Sequence, residues 1–451
     1  MKRLLPSIKE TFFSVYLNSE KQKGTKSPKN IRLQKHKGML FSLIYFFLIF
    51  QLIVQVRLNN EISIITNGTG VQSVVGKYYY CPSLIYLNGN QIDPCSDCRK
   101  INITDGNGTN NIRIVFNHIN TSLRKMFENL TNIIEVDLSN FDASLVTDMG
   151  GMFYGCYFLR SIKLSNLNTK SLEIMDDMFY DCFSLTELDL SFFDTSKVHN
   201  MSFLFYGCKK LNTLHIQNFN TSKVTNMKAM FYQMEIKESL DLSHFDTSNV
   251  IDMSHMFQSC NSLIELDLIN FNTSIVANIS SMFAACLKLE RVDISTFDTK
   301  NVVDMSRMFV LCQSLTSLNI SNFDTSKVTG MLYMFNHCQK LTSLDLSNFR
   351  TPCLVDMFEM FYDCFSLSFL NISNFNTSQV TNMYALFFRN FKLPTLDISF
   401  MDISKVENMA YMFYHCNSSI SFDLSKLDAS NVKTFDNMFS FCYSLISLDL
   451  S

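Results

Sequence analysis

The sequence predicts an α/β solenoid of about 13 units, each 26 residues long with one short parallel strand and one helical segment, and a separate N-terminal transmembrane helix. Three observations carry this reading. Phe returns without a slip at Phe127, Phe153, Phe179, Phe205, Phe231, Phe257, Phe283, Phe309, Phe335, Phe361, Phe387, Phe413 and Phe439. Two apolar periodicities, one of a strand and one of a helix, meet inside every unit. An uncharged apolar run precedes them all. A fixed period of this length marks stacked units, none of which can bury its apolar face alone.

Residues 1–38 carry ten Lys or Arg against two Glu, in a chain whose overall charge is −3. This stretch reads as a basic cytoplasmic tail. Nucleic-acid binding is the less economical explanation, because residues 39–56 follow directly as an uncharged apolar run. At roughly 1.5 Å per residue that run spans about 27 Å as a helix, close to a bilayer's hydrocarbon thickness. The flanking Arg32, Lys35 and Lys37 stay inside by the positive-inside tendency, which places the repeats outside. A cleaved signal peptide starting at Met39 competes with this transmembrane signal-anchor. The length of the run and the lack of a small-x-small site before Arg57 argue against cleavage. The expected location is the membrane, single-pass, with the repeats at the cell surface.

Residues 57–111 break the period and are rich in Gly and Asn. They read as a stalk and N-terminal cap, with one disulfide expected among Cys81, Cys95 and Cys98 and no sequence signal for which pair. The leucine-bearing units then occupy 112–451. In one of them, Leu188 and Leu190 flank an exposed Asp189 as in a strand, and Val198, Met201, Leu204, Phe205, Cys208 and Leu211 recur at helical steps. Asp194-Thr-Ser196 supplies turn-forming oxygens between the two. Ten Cys share one column on the apolar stripe, where thiols read as small apolar filler. Met234 and Asn390 interrupt that column, and Lys237 and Ser419 replace the following Leu, so these units are expected to be the softest joints.

Written out, the unit resembles the BspA-like leucine-rich repeat family. Its pattern Leu-Asp-Leu-Ser-Asn-Phe-Asp-Thr-Ser-x-Val-x-x-Met-x-x-Met-Phe-x-x-Cys is matched nearly throughout by Leu318 to Met331 followed by Met334, Phe335 and Cys338. The resemblance covers about three-quarters of the chain. It implies a right-handed leucine-rich-repeat solenoid on a microbial or protist surface, linked to adhesion and partner binding, with no shared catalytic residues.

The candidate partner-binding residues lie between the two strand leucines: Asp189, Asp241, Asp267, Asp293, Asp345, Asp397, Asp423 and Asp449, with Lys163, His215 and Asn residues breaking up the column. Parallel pairing would set neighbours about 4.8 Å apart. Each adjacent carboxylate pair then costs roughly 1 kcal/mol before salt screening. A concave acidic strip for a basic partner or cations is the functional reading, and aspartates bonded to local hydroxyls and backbone are the plain one. No Asp-x-Asp-x-Asp-Gly loop marks a calcium site, and no nucleophile elbow, P-loop, dinucleotide fingerprint or His-Glu-x-x-His motif points to an enzyme, a cofactor or a metal. The expected function is that of a membrane-anchored cell-surface binding or adhesion protein recognising an extracellular protein or glycan, without nucleic acid. The alternative is a structural protein self-associating through its repeats. The chain stops in mid-unit at Ser451, which suggests either a truncated sequence or an open end, exposing Phe439, Leu445 and Leu450, that serves assembly.

Overall fold

The computed structural model describes residues 60–449 apart from 95, 105–107, 118–120, 166, 237–239, 395, 420 and 426, with only the backbone of Asp423. The basic tail (1–38) and the apolar run (39–56) lie outside the described residues. Among the described residues no helix is long and apolar enough to cross a membrane. The expected single-pass, cell-surface placement is therefore withdrawn.

The first six strands are β1 (Glu61–Asn67), β2 (Gly70–Ser73), β3 (Leu84–Leu87), β4 (Asn90–Ile92), β5 (Lys100–Ile103) and β6 (Thr109–Val115). All their mutual pairings are antiparallel. Ile62 and Ile64 of β1 alternate inward and are fully buried, as period-two patterning requires. Next come β7 (Ile133–Asp137) and β8 (Ser161–Lys163), the strands of the first coils. The sheet order β4-β3-β6-β1-β7-β8 shows how the cap works: β1 pairs antiparallel with β7, and β7 pairs parallel with β8. The cap thus covers the edge the first coil would expose. Cys81 bonds to Cys98, and Cys95 lies outside the described residues.

The later strands are three residues each: β9 (Glu187–Asp189), β10 (Thr213–His215), β11 (Glu265–Asp267), β12 (Arg291–Asp293), β13 (Ser343–Asp345), β14 (Phe369–Asn371), β15 (Ser421–Asp423) and β16 (Ser447–Asp449). The helical half of the predicted α/β unit is a correction, because the described residues contain no helix and the body is a β-solenoid. Residues 149–156 show why. The N–H groups of Met149, Gly151, Phe153 and Gly155 donate to Ile174, Asp176, Met178 and Tyr180 of the next coil at 2.7–2.9 Å. Those of Met152, Tyr154 and Cys156 close three-residue turns onto Met149, Gly151 and Phe153 at 3.0–3.1 Å. Alternate N–H groups thus leave the coil, whereas a helix would keep every one. The backbone also enters the left-handed region twice per coil, at Phe203 (φ 55°) and Gly207 (φ 72°) for example. Each non-Gly residue there costs about 1–2 kcal/mol, which the hydrogen bonds to the next coil offset.

Behind these turns the thirteen Phe rings stack at 5.3–5.9 Å. Twelve successive parallel bridges, from Ser122 to Thr434, run alongside them. Buried Thr side chains form another ladder: Thr195 Oγ1 donates to the Asn220 carbonyl at 3.0 Å and accepts the Asn220 N–H at 2.8 Å. In the last described coil Phe439 and Leu445 are partly buried, the exposed apolar groups are instead Phe435, Phe441, Tyr443, Ile446 and Leu448, and Leu450 lies outside the described residues.

Candidate functional site

The strand column stands at one edge of each coil, and the pairing register puts equivalent residues side by side: Asp189 beside His215, Asp267 beside Asp293, Asp345 beside Asn371 and Asp423 beside Asp449. Lys163 Nζ reaches Asp137 Oδ2 at 3.5 Å. Asp189, Asp241, Asp267, Asp293, Asp345, Asp397 and Asp449 are exposed. One carboxylate oxygen is nevertheless committed in six of them. Oδ1 of Asp189, Asp241, Asp267, Asp293, Asp345 and Asp397 accepts the N–H of Ser191, Ser243, Ile269, Ser295, Ser347 and Ser399 at 2.9–3.0 Å. These are Asx turns, which bend the chain out of the strand. The hydrogen bonds from Ser191, Ser243 and Ser295 hold Asp189, Asp241 and Asp293 below the usual carboxylate range. They stay ionised well into acid, and their outer oxygens are left facing solvent.

Three of the eight candidates come together. Asp241, Asp267 and Asp293 line one depression of about 650 Å³ with Glu265, Arg291 and Asn319, and Arg291 pairs with Glu265. The depression lies where the strand ladder lapses. Leu240 and Asp241 form no strand, so β10 and β11 do not join. The same lapse recurs at 317–319 and at Leu396–Asp397, leaving the strands in pairs. Asp189, Asp345, Asp397 and Asp449 lie outside the depression, and of Asp423 only the backbone is described.

Equivalent rings of successive coils lie closer together on the turn side than beside the strands: 4.2 Å for Tyr180–Tyr206 and for Tyr206–Tyr232, against 6.4 Å for Phe323–Phe349.

The buried Cys column does more than fill space. Cys260 Sγ donates to the Phe231 carbonyl at 3.1 Å, and Cys286 repeats this with Phe257 at 3.1 Å. Burial pushes the Cys286 thiol up to about 12. Asn390 takes the same position and donates Nδ2 to the Phe361 carbonyl at 2.7 Å. That substitution was the sequence signal for a donor column. Among the described residues no group of His, Cys, Asp or Glu is arranged to hold a metal ion.

A family model described as "Mycoplasma protein of unknown function, DUF285" matches residues 121–237, 204–292, 233–343, 285–370 and 344–448. No curated protein matches the chain. Among solved structures, the chain is similar to one in a TLR13–ssRNA13 complex at 17% identity, covering 73% of this chain and 54% of that one, with a TM-score of 0.25. It is also similar to a leucine-rich-repeat protein of Leptospira interrogans at 14% identity, covering 71% and 79%, with a TM-score of 0.26. The chain spans about half the length of the first.

Proposed function

Because the chain belongs to the family described as Mycoplasma protein of unknown function, DUF285, and is a leucine-rich-repeat-like solenoid, we propose that it is a binding protein of the BspA-like kind, not an enzyme. Its strand face holds a protein or glycan partner, and the depression beside Asp241, Asp267 and Asp293 is the main contact. One observation carries this reading: three carboxylates whose inner geometry is set by backbone hydrogen bonds converge on one recess, with Arg291 already engaged by Glu265. A basic protein segment suits that chemistry better than a neutral glycan. Fixed carboxylates in a recess attract cations at little cost in side-chain entropy.

The test is binding of a fluorescent oligoarginine peptide to the full chain, followed by anisotropy across salt concentrations. The triple variant Asp241→Asn, Asp267→Asn, Asp293→Asn is expected to bind about tenfold more weakly, each pair contributing some 0.5 kcal/mol. The salt dependence should flatten as well. Equal affinity and equal salt slope in a folded triple variant would sink the proposal.

A further inference from the structure

A second strand-like column runs along the solenoid, just ahead of the turn segment. In successive coils a fully buried Val or Leu stands between two residues that reach solvent, as Val250 stands between Asn249 and Ile251 and Leu354 between Cys353 and Val355. That is the period-two pattern of a strand with one face in water. The residues that follow the buried position bond directly from coil to coil. The N–H of Glu173 donates to the Thr147 carbonyl, and the series continues through Ile251 to Thr225, Val303 to Ala277 and Val355 to Thr329 as far as Lys433 to Glu407, at 2.8–3.3 Å. This ladder has no lapse, unlike the one on the strand side.

Its side chains are sorted along the stack. The seven from Thr225 to Thr381 are uncharged, and Ile251, Val303 and Val355 among them are 51%, 44% and 45% exposed. Charge enters only beyond them, with Glu173 and His199 on one side and Glu407 and Lys433 on the other. A contiguous run of exposed apolar side chains on a hydrogen-bonded ladder is a surface that association buries.

The order of the column also says what covers it. Rotated about a two-fold axis through Val303 and across the stack, the column falls on itself: Val303 meets Val303 of the second copy, Ile251 meets its Val355 and Thr225 its Thr381. The same rotation sets Glu173 against Lys433 and His199 against Glu407, an ion pair and a ring nitrogen facing a carboxylate. Packing with the two stacks parallel would instead set Glu173 on Glu173 and Lys433 on Lys433, and like charges directly opposed are unfavourable. In the neighbouring exposed column, Lys327 and Lys405 are drawn toward the preceding coil by Asn301 Oδ1 and Gln379 Oε1, at 2.7 Å each. Of these two, Lys405 meets a like charge, Lys197 of the second copy, near the end of the patch where salt screens the pair. Two columns over a dozen coils present on the order of 600–700 Å² per copy, close to the roughly 800 Å² of a standard interface.

We propose that this column is a self-recognition surface, on which two copies of the chain pack face to face and antiparallel about an axis at Val303. It is separate from the acidic depression, whose aspartates belong to the strand column, and it does not depend on what that depression binds.

The experiment is sedimentation of the full chain up to about 100 µM, where an interface of this size associates, together with cysteine cross-linking. A dimer is expected. Val303→Asp sets two carboxylates against each other on the axis and should weaken the dimer at least tenfold. Melting curves monitor its folding. Cross-linking uses a Cys353→Ser background, which removes the exposed thiol beside the column. There Val303→Cys should form an intermolecular disulfide under mild oxidation. Val355→Cys should not, because it faces Ile251 of the second copy and lies about 19 Å from Val355 there, four coils away. The two cysteine variants decide the matter should Val303→Asp unfold. A monomer at every concentration, assemblies larger than a dimer, undiminished association of folded Val303→Asp, or equal cross-linking of the two cysteine variants overturns the proposal.

Discussion

Asp177 shows how a single carboxyl is placed by the coils on either side of it. Arg124 passes over Gly150, whose lack of a Cβ leaves room, and grips Asp176 through two bonds of 3.1 and 3.0 Å. Asp177, held at φ 54°, is left half-buried beside that engaged neighbour. Burial first, then the Asp176 charge, lifts its carboxyl from 3.8 to about 6. A folded-state pKa above the unfolded one means that the fold prefers the protonated form. Stability is then highest at low pH, declines as pH rises from about 4 to about 6, and stays lower above. Asp177→Asn should therefore raise the melting temperature at pH 7.5 and leave it unchanged near pH 4. The gain should stay under about 2 kcal/mol, given partial solvent screening. Thermal denaturation at both pH values checks this, and equal gains at both would refute the assignment. Nothing in the sequence marks Asp177, because its burial comes from coils 26 and more residues away. The strand aspartates were legible as an exposed column, but the capture of Oδ1 by the N–H two residues on was only one of two readings open to them.

At the scale of one coil, the spacing of Met149, Met152, Phe153 and Cys156 by three and four residues suits a helix and a chain of three-residue turns equally well. Apolar periodicity reports which side chains point inward, and here it did so correctly: all four are fully buried. It does not report where the N–H groups go, and that is what separates helix from solenoid turn. The contrary signal was Gly151, Gly155 and Gly207 within the supposed helical stretch, at positions that take positive φ. The Phe spine was legible in full because its period is the period of the structure. Phe257 lies between Phe231 at 5.6 Å and Phe283 at 5.9 Å and is fully buried. Phe257→Ala should cost about 3–5 kcal/mol, since the stacked neighbours cannot collapse into the space. Phe439→Ala, partly buried in the last described coil, should cost less than half as much. Urea denaturation of the two variants measures the difference, and equal losses would mean that the spine does not act as a continuous stack.

Across the whole solenoid, the two sides of each coil are held differently, and the consequence is measurable. On the turn side the inter-coil hydrogen bonds repeat with little interruption, from Met149–Ile174 through Phe413–Met438, alongside the unbroken bridge ladder. On the strand side, pairing stops after β8 and again after β10, β12 and β14. Strand length fits this: the later strands are three residues each and offer few backbone groups to pair. The one-dimensional sequence could not show this, because pairing is made between residues 26 apart and not by the pattern within one unit. Stability in a stacked array is a sum of unit and interface terms, so the weak side should open without unfolding the strong one. Hydrogen exchange on the full chain should find the amides of Phe153, Phe257 and Phe361 protected close to the global limit. Those of Ile216 and Leu242, which flank the lapse beside the acidic depression, should exchange at least a hundredfold faster. Uniform protection around the coil would mean that the strand side is as firmly paired as the turn side, and the two-sided account of the stack would fail.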